Sequence, residues 1–183
     1  MNLPNKITLL RVILIPAFLA VYLLTPLPSV LNEWLALVLF MTAAITDAID
    51  GYLARKLGLV TNIGKLMDPL ADKLLACGAL VAFVYTGTVP VWAVIIIIAR
   101  EFYISGFRLL ALEQNIVLAA GISGKVKMFT QMFLIVYILV PPPLDILVIS
   151  EIVLALVIIT TLVSVYSAVE YTLKNMQVFK KDF

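Results

Sequence analysis

Six apolar runs divide the chain, at about residues 7–25, 33–55, 68–86, 90–110, 127–142 and 147–172. Most approach the roughly 20 residues that a helix needs to cross a hydrocarbon core. Breaker residues separate several of them: Pro26 and Pro28, then Gly87 and Pro90, then Pro141-Pro142-Pro143, where a proline run cannot continue a helix. No fixed-period repeat and no low-complexity segment interrupts this plan. The pattern predicts an all-α fold, a polytopic membrane helix bundle of six transmembrane helices forming one domain over residues 1–183. Residues 1–11 (MNLPNKITLLR) are expected to lie partly along the interface, as a short N-terminal interfacial helix before the chain enters the bilayer. Lys6 and Arg11 at the head of the first run resemble the start of a signal peptide. That run ends in Thr25-Pro26-Leu27-Pro28 with no small-x-small cleavage site, so it is expected to remain as a span.

Composition sharpens the class. Of 183 residues, 63% are hydrophobic, against about 45–50% apolar residues in soluble domains. Net charge is only +2, so bulk charge selects no partner, and no nucleic acid is expected. Position says more than quantity. The basic residues Lys6, Arg11, Arg55, Lys56, Lys65, Lys73, Arg100, Arg108, Lys125, Lys127, Lys174, Lys180 and Lys181 fall at the two ends of the chain, in the second and fourth connections, or on adjoining helix ends. The first, third and fifth connections carry none. With six spans the two groups lie on opposite sides, and the positive-inside rule puts both termini in the cytosol of a cell membrane. Trp34 and Trp92 fall at the other ends of their spans, as an aromatic belt would place them. Lys174, Lys180 and Lys181 form a weak basic tail suited to anionic lipid. The single Cys77 excludes an intrachain disulfide and reads as a small apolar residue. With no histidine in the chain, proton transfer at neutral pH falls to Asp, Glu, Lys, Tyr or water.

Four aspartates carry the candidate chemistry. Asp47 and Asp50 are three apart near the cytosolic end of the second run, and Asp68 and Asp72 are four apart at the start of the third. On helices each pair shares a face. The connection between the runs, about residues 56–67, is short, so the two helices are expected to be antiparallel neighbours with all four acids at one depth. Acids beside a bilayer are costly and mark function. Without counter-ions they would repel and take up protons. Hard carboxylate oxygens suit Mg²⁺ or Mn²⁺, and two such ions bridging a pyrophosphate would stabilise both attacked phosphorus and leaving phosphate. Gly51 and Ala54 either let a bulky ligand approach the backbone or simply pack helices. Asn5, Thr8 and Arg11 share a face near the same plane; nucleotide contact and interfacial anchoring fit them equally. A small ion transporter is the alternative of another class, although such sites usually sit near the midplane rather than at one face.

The arrangement Asp47-x2-Asp50-Gly51-x2-Ala54-Arg55-x8-Gly64-x3-Asp68-x3-Asp72 resembles the CDP-alcohol phosphotransferase family, with every fixed position present. The resemblance implies cleavage of a CDP-linked alcohol, transfer of its phosphorylated part to an acceptor hydroxyl, and release of CMP. It implies two metal ions held by Asp47, Asp50, Asp68 and Asp72, with Asp72 as the base for the acceptor hydroxyl. It also implies a CDP pocket formed by Asp50, Gly51, Ala54, Arg55 and Gly64, and a homodimer. Residues 61–73 (TNIGKLMDPLADK), Ala99-Arg100-Glu101 and Ser123-Gly124-Lys125-Val126-Lys127 are most similar to the bacterial branch that makes phosphatidylglycerophosphate. That branch implies CDP-diacylglycerol as donor and sn-glycerol 3-phosphate as acceptor. Met128 stands where relatives often have Thr.

A phosphorylated acceptor needs a second basic site. Arg100, Arg108, Lys125 and Lys127 are the candidates, set against plain positive-inside decoration. Arg100 and Arg108 are eight apart and share a helix face. The arginine fork suits phosphate oxygens, and Glu101 is placed to orient one of these cations. An inositol phosphate would demand a similar site, so it stays an alternative acceptor, as does a phospholipid.

Overall fold

Helix formation follows the apolar runs, but the helices outlast them. A computed structural model describes residues 3–25, 29–57, 62–114, 116, 118, 121–141, 146–176 and 178. Among the described residues there are six α-helices and no strand: α1 (Leu3–Leu24), α2 (Ser29–Leu57), α3 (Asn62–Tyr85), α4 (Val91–Glu113), α5 (Ile122–Leu139) and α6 (Ile146–Lys174). The helix α1 is continuous, so residues 3–11 are its first turns and not a separate interfacial element.

The largest departure from the sequence expectation lies between α2 and α3. The expected connection over 56–67 narrows, because α2 runs to Leu57 and α3 begins at Asn62. Gly64 therefore stands in the first turn of a helix. Apolarity reports where hydrocarbon would be, not where backbone hydrogen bonding stops. Asn at a helix start is favourable in its own right. For the same reason α5 begins at Ile122, ahead of the apolar run expected from 127. The α3–α4 turn follows its breakers closely. Gly87 adopts φ 75°, a left-handed conformation that glycine takes without a Cβ clash. Pro90, extended at φ −69° and ψ 139°, caps α4, and its carbonyl accepts from the Ala93 amide at 3.2 Å.

The chain divides into two compact units, residues 1–85 with 138–143 and residues 86–137 with 144–183. In the first, α1 packs on α2 and α3, and α2 on α3. Small buried residues permit this: Ala36 and Ala43 on α2, Ala71, Ala79 and Ala82 on α3. Gly78 of α3 faces Leu19 of α1, whose methyl lies 3.6 Å from where a Cβ would stand. Phe18 stacks on Tyr22 and meets Phe40, and Tyr22 meets Phe83 edge-on. In the second unit α4 packs along α6, and α5 bonds to α6 where the Thr160 hydroxyl donates to the Thr130 carbonyl at 3.4 Å.

The helix α6 reverses the usual polarity of a globular protein. Its buried positions include Thr160, Thr161, Ser164 and Ser167, whereas Leu154, Ile158, Ile159, Leu162, Val165, Val169 and Leu173 are exposed. Small hydroxyl residues on a packed face and large aliphatics outside are what a helix surrounded by hydrocarbon requires. Among the described residues, Ile122–Leu139 and Ser150–Lys174 are long and apolar enough to cross a membrane, and Leu9–Leu24, Val30–Thr46 and Lys73–Tyr85 are shorter apolar stretches. The helix α4 carries Arg100, Glu101, Arg108 and Glu113, too many charges for an ordinary span. Trp34 and Trp92 are both exposed, and Cys77 is partly buried and in no disulfide.

Candidate functional site

In the first unit α2 carries Asp47, Asp50, Gly51, Ala54 and Arg55, and α3 carries Gly64, Asp68 and Asp72. The side chains of these eight residues lie outside the described residues, as do those of Asn5 and Thr8. What is described is the frame: two neighbouring helices bear the motif, and α1 packs against both. From α1, Arg11 enters this unit fully buried, not as the surface anchor that its position in the chain would suggest. Burying a guanidinium requires compensation, and Arg11 is engaged rather than free. Among the described residues no three His, Cys, Asp or Glu gather as a metal site; the four aspartates are not in that set. As a donor set, however, four carboxylates on two adjoining helices are all hard oxygen, the chemistry that Mg²⁺ and Mn²⁺ prefer.

The second unit assembles the basic residues, and it separates them. Glu101 of α4 is the centre. Its Oε1 accepts from Arg100 Nη1 at 3.1 Å and is also ion-paired with Lys127 of α5. The side chains are 11% exposed for Arg100, 17% for Glu101 and 4% for Lys127. Adjacent residues on a helix do not naturally face each other, so the Arg100–Glu101 contact needs both side chains to turn inward. Arg100 Nη2 then donates to the Ser167 hydroxyl of α6 at 2.7 Å, and its Nε is buried with no hydrogen-bond partner among the described residues. Gly124 of α5 lies alongside, its Cβ direction pointing at Arg100 Nη2 from 3.7 Å. Three helices thus converge on a cluster of two cations and one anion.

Arg108 takes a different environment. Its Nε donates to the Tyr171 hydroxyl at 3.2 Å, and its Cζ stands 5.6 Å from the centre of the same ring. Tyr171 is buried in a small core of Ile104, Phe107, Ala111 and Val178, against which Ile116 and Leu118 pack. Arg108 itself is exposed. The shared face expected for Arg100 and Arg108 is real, since both reach α6, at Ser167 and at Tyr171 one turn later. Lys125 is exposed and is not brought to the cluster. Two positions on a helix are about 200° apart at 3.6 residues per turn, so burying Lys127 turns Lys125 outward. Lys174 pairs with Glu170, while Lys180 and Lys181 lie outside the described residues.

Sequence reasoning missed Ser167 and Tyr171. The signal was present: Thr160, Ser164, Ser167 and Tyr171 recur at intervals of four, three and four along the most apolar helix, a polar stripe at helical period. Chemically, the second unit offers an excess of guanidinium and ammonium groups, covered at Arg100 and Lys127 and exposed at Arg108 and Lys125, which suits an oxyanion with more than one charge.

Comparison with known proteins fits this arrangement. The description of the CDP-alcohol phosphatidyltransferase family matches residues 1–163. A Bacillus subtilis protein named CDP-diacylglycerol–glycerol-3-phosphate 3-phosphatidyltransferase is 46% identical over 140 residues, covering 71% of this chain and 72% of its own. A Rickettsia bellii protein of the same name is 39% identical over 133 residues, 72% of this chain and 71% of its own. A Mycobacterium tuberculosis protein named probable phosphatidylglycerophosphate synthase is 32% identical over 175 residues, 96% of this chain and 83% of its own.

Proposed function

The chain belongs to the CDP-alcohol phosphatidyltransferase family, and on that premise we propose that it transfers the phosphatidyl group of CDP-diacylglycerol to sn-glycerol 3-phosphate. The products are phosphatidylglycerophosphate and CMP. The observation that carries the acceptor is the name shared by its relatives at 46% and 39% identity. The cationic cluster around Arg100 and Lys127 supports it independently, because an acceptor that is already phosphorylated needs countercharge away from the donor site. Relatives named as transferases also favour group transfer over ion transport.

In this account Asp47, Asp50, Asp68 and Asp72 would hold two Mg²⁺ or Mn²⁺ ions. When bound, such ions neutralise phosphate charge and stabilise the departing CMP. Asp50, Gly51, Ala54, Arg55 and Gly64 form the CDP pocket, with the small residues admitting the nucleotide close to the helix backbone and Arg55 offering its fork to phosphate. Asp72 accepts the proton of the acceptor's primary hydroxyl as that oxygen attacks the phosphorus bonded to diacylglycerol. Arg100, Arg108 and Lys127 receive the phosphate of glycerol 3-phosphate. Lys125, exposed two residues before Lys127, adds a steering charge for the same phosphate.

The setting is a cell membrane crossed by all six helices, with both termini and the site on the cytosolic side. The inverted polarity of α6 supports this reading, as does the confinement of basic residues to one set of connections. The charges of α4 then fall near the cytosolic interface, where cationic stems can reach water. The working unit is expected to be a homodimer. An acceptor screen tests the proposal. With CDP-diacylglycerol and Mg²⁺ or Mn²⁺, CMP should appear with glycerol 3-phosphate and not with serine, inositol phosphate or phosphatidylglycerol. Release driven by inositol phosphate instead would overturn the acceptor assignment.

A further inference from the structure

The residues of α6 that hold the arginines have no part in the family motif, and they lie beyond residue 163, where the family match ends. We propose that Tyr171 is a positioning residue for the acceptor phosphate: it fixes Arg108 so that the guanidinium's terminal edge faces the ligand. This rests on the reading of Arg108 as a phosphate group's partner.

Three observations support it. First, the bond from Arg108 Nε to the Tyr171 hydroxyl, 3.2 Å, uses only one donor of the guanidinium. Among the described residues its two terminal nitrogens hydrogen-bond nothing, so a paired edge is left for an anion. Second, the ring beneath it, 5.6 Å from Cζ, adds a cation–π contact that restrains the plane of the fork. An exposed arginine otherwise samples many rotamers, and each bound phosphate would have to order it. Third, Tyr171 is itself immobilised. It is buried with Phe107, Ala111 and Val178, meets Phe107 edge-on at 5.7 Å between ring centres, and its carbonyl accepts from Asn175 Nδ2 at 2.7 Å. A rigid anchor on one side and an open edge on the other is the arrangement that preorganises a binding group. Ser167, one turn earlier, meets Arg100 differently, accepting from its terminal Nη2 at 2.7 Å while Glu101 takes Nη1, so among the described residues the same face of α6 touches both arginines but leaves the terminal edge unused only on Arg108.

Tyr171→Phe keeps the ring, its packing and the cation–π contact, and removes only the hydroxyl; elution as a monodisperse species checks that the variant folds. Losing a positioning hydrogen bond of ordinary net strength predicts a KM for glycerol 3-phosphate raised roughly three- to tenfold, with kcat and the KM for CDP-diacylglycerol changed less than about twofold. Arg108→Ala should raise the same KM by at least as much, and adding Tyr171→Phe to it should have no further effect, because the tyrosine acts through the arginine. If Arg108→Ala raises that KM and Tyr171→Phe alone does not, the positioning role is wrong while the phosphate site stands. If the two substitutions multiply, or if Tyr171→Phe lowers kcat and raises both KM values alike, Tyr171 serves the fold and the proposal fails. If Arg108→Ala leaves the KM for glycerol 3-phosphate unchanged, the reading of the site itself falls.

Discussion

Glu101→Gln should destabilise the protein by an amount that can be bounded from its surroundings. The carboxylate stands between Arg100, at 3.1 Å, and Lys127, whose side chain is only 4% exposed. Removing one partner of a buried ion pair typically costs about 3–5 kcal/mol, mostly through the charge left behind. Two features point to the lower end. Arg100 keeps the Ser167 hydroxyl as an acceptor, and Glu101 is 17% exposed, so water partly solvates the site. A loss of about 3 kcal/mol, at 2–4 °C per kcal/mol for a chain of this size, lowers the melting midpoint by roughly 6–12 °C. The assay is the temperature at which half of the detergent-solubilised protein is lost from its monodisperse elution peak. Replacing Glu101 and Lys127 together, as Glu101→Met with Lys127→Met, should recover part of the loss, since it removes the stranded Lys127 charge and leaves only Arg100, which keeps the Ser167 hydroxyl. A midpoint within about 2 °C of wild type for Glu101→Gln would refute the reasoning, because the carboxylate would then not be what holds Lys127 inside.

Other predictions concern the remaining machinery. Asp72→Asn should reduce kcat by at least about a hundredfold, the scale of general-base catalysis, with elution and melting midpoint preserved; near-normal turnover would remove Asp72 from the base role. Chelation with EDTA should abolish CMP release and added Mg²⁺ or Mn²⁺ should restore it, whereas activity persisting in EDTA would contradict the assignment of the four aspartates. Val178→Asp places a carboxylate in the core that holds Tyr171, and should raise the KM for glycerol 3-phosphate more than that for the lipid donor. An equal effect on both would mean that the turn supports the whole fold instead.

The number and kind of elements were legible because each apolar run is long enough for a helix and breaker residues separate several of them. The ends were not legible, for the reason that Asn62, Gly64 and Lys65 illustrate: a polar helix is compatible with the interface, so loss of apolarity at residue 67 does not mean loss of helix. The four aspartates stood out by their spacing, the other four positions of the motif took a role only through the family resemblance, and the structure adds the frame of α1, α2 and α3, with Arg11 buried in it. The second site was readable only as a set of basic residues. Which of them face inward depends on the phase of α5, which buries Lys127 and exposes Lys125, and no local pattern fixes that phase. Glu101 stood out as a partner, but its hold on cations from two helices required tertiary placement. Ser167 and Tyr171 escaped because a window average over so apolar a helix hides a hydroxyl stripe that its period reveals.

The central claim, transfer to glycerol 3-phosphate, is tested most directly by following label and leaving group together. Purified protein in mixed micelles receives CDP-diacylglycerol, Mg²⁺ or Mn²⁺, and glycerol 3-phosphate labelled with radioactive phosphorus. The account predicts that label enters the lipid phase in a one-to-one ratio with CMP released, and that omitting glycerol 3-phosphate stops CMP release. CMP formed with the label left entirely in water would show hydrolysis or another acceptor, and would contradict it.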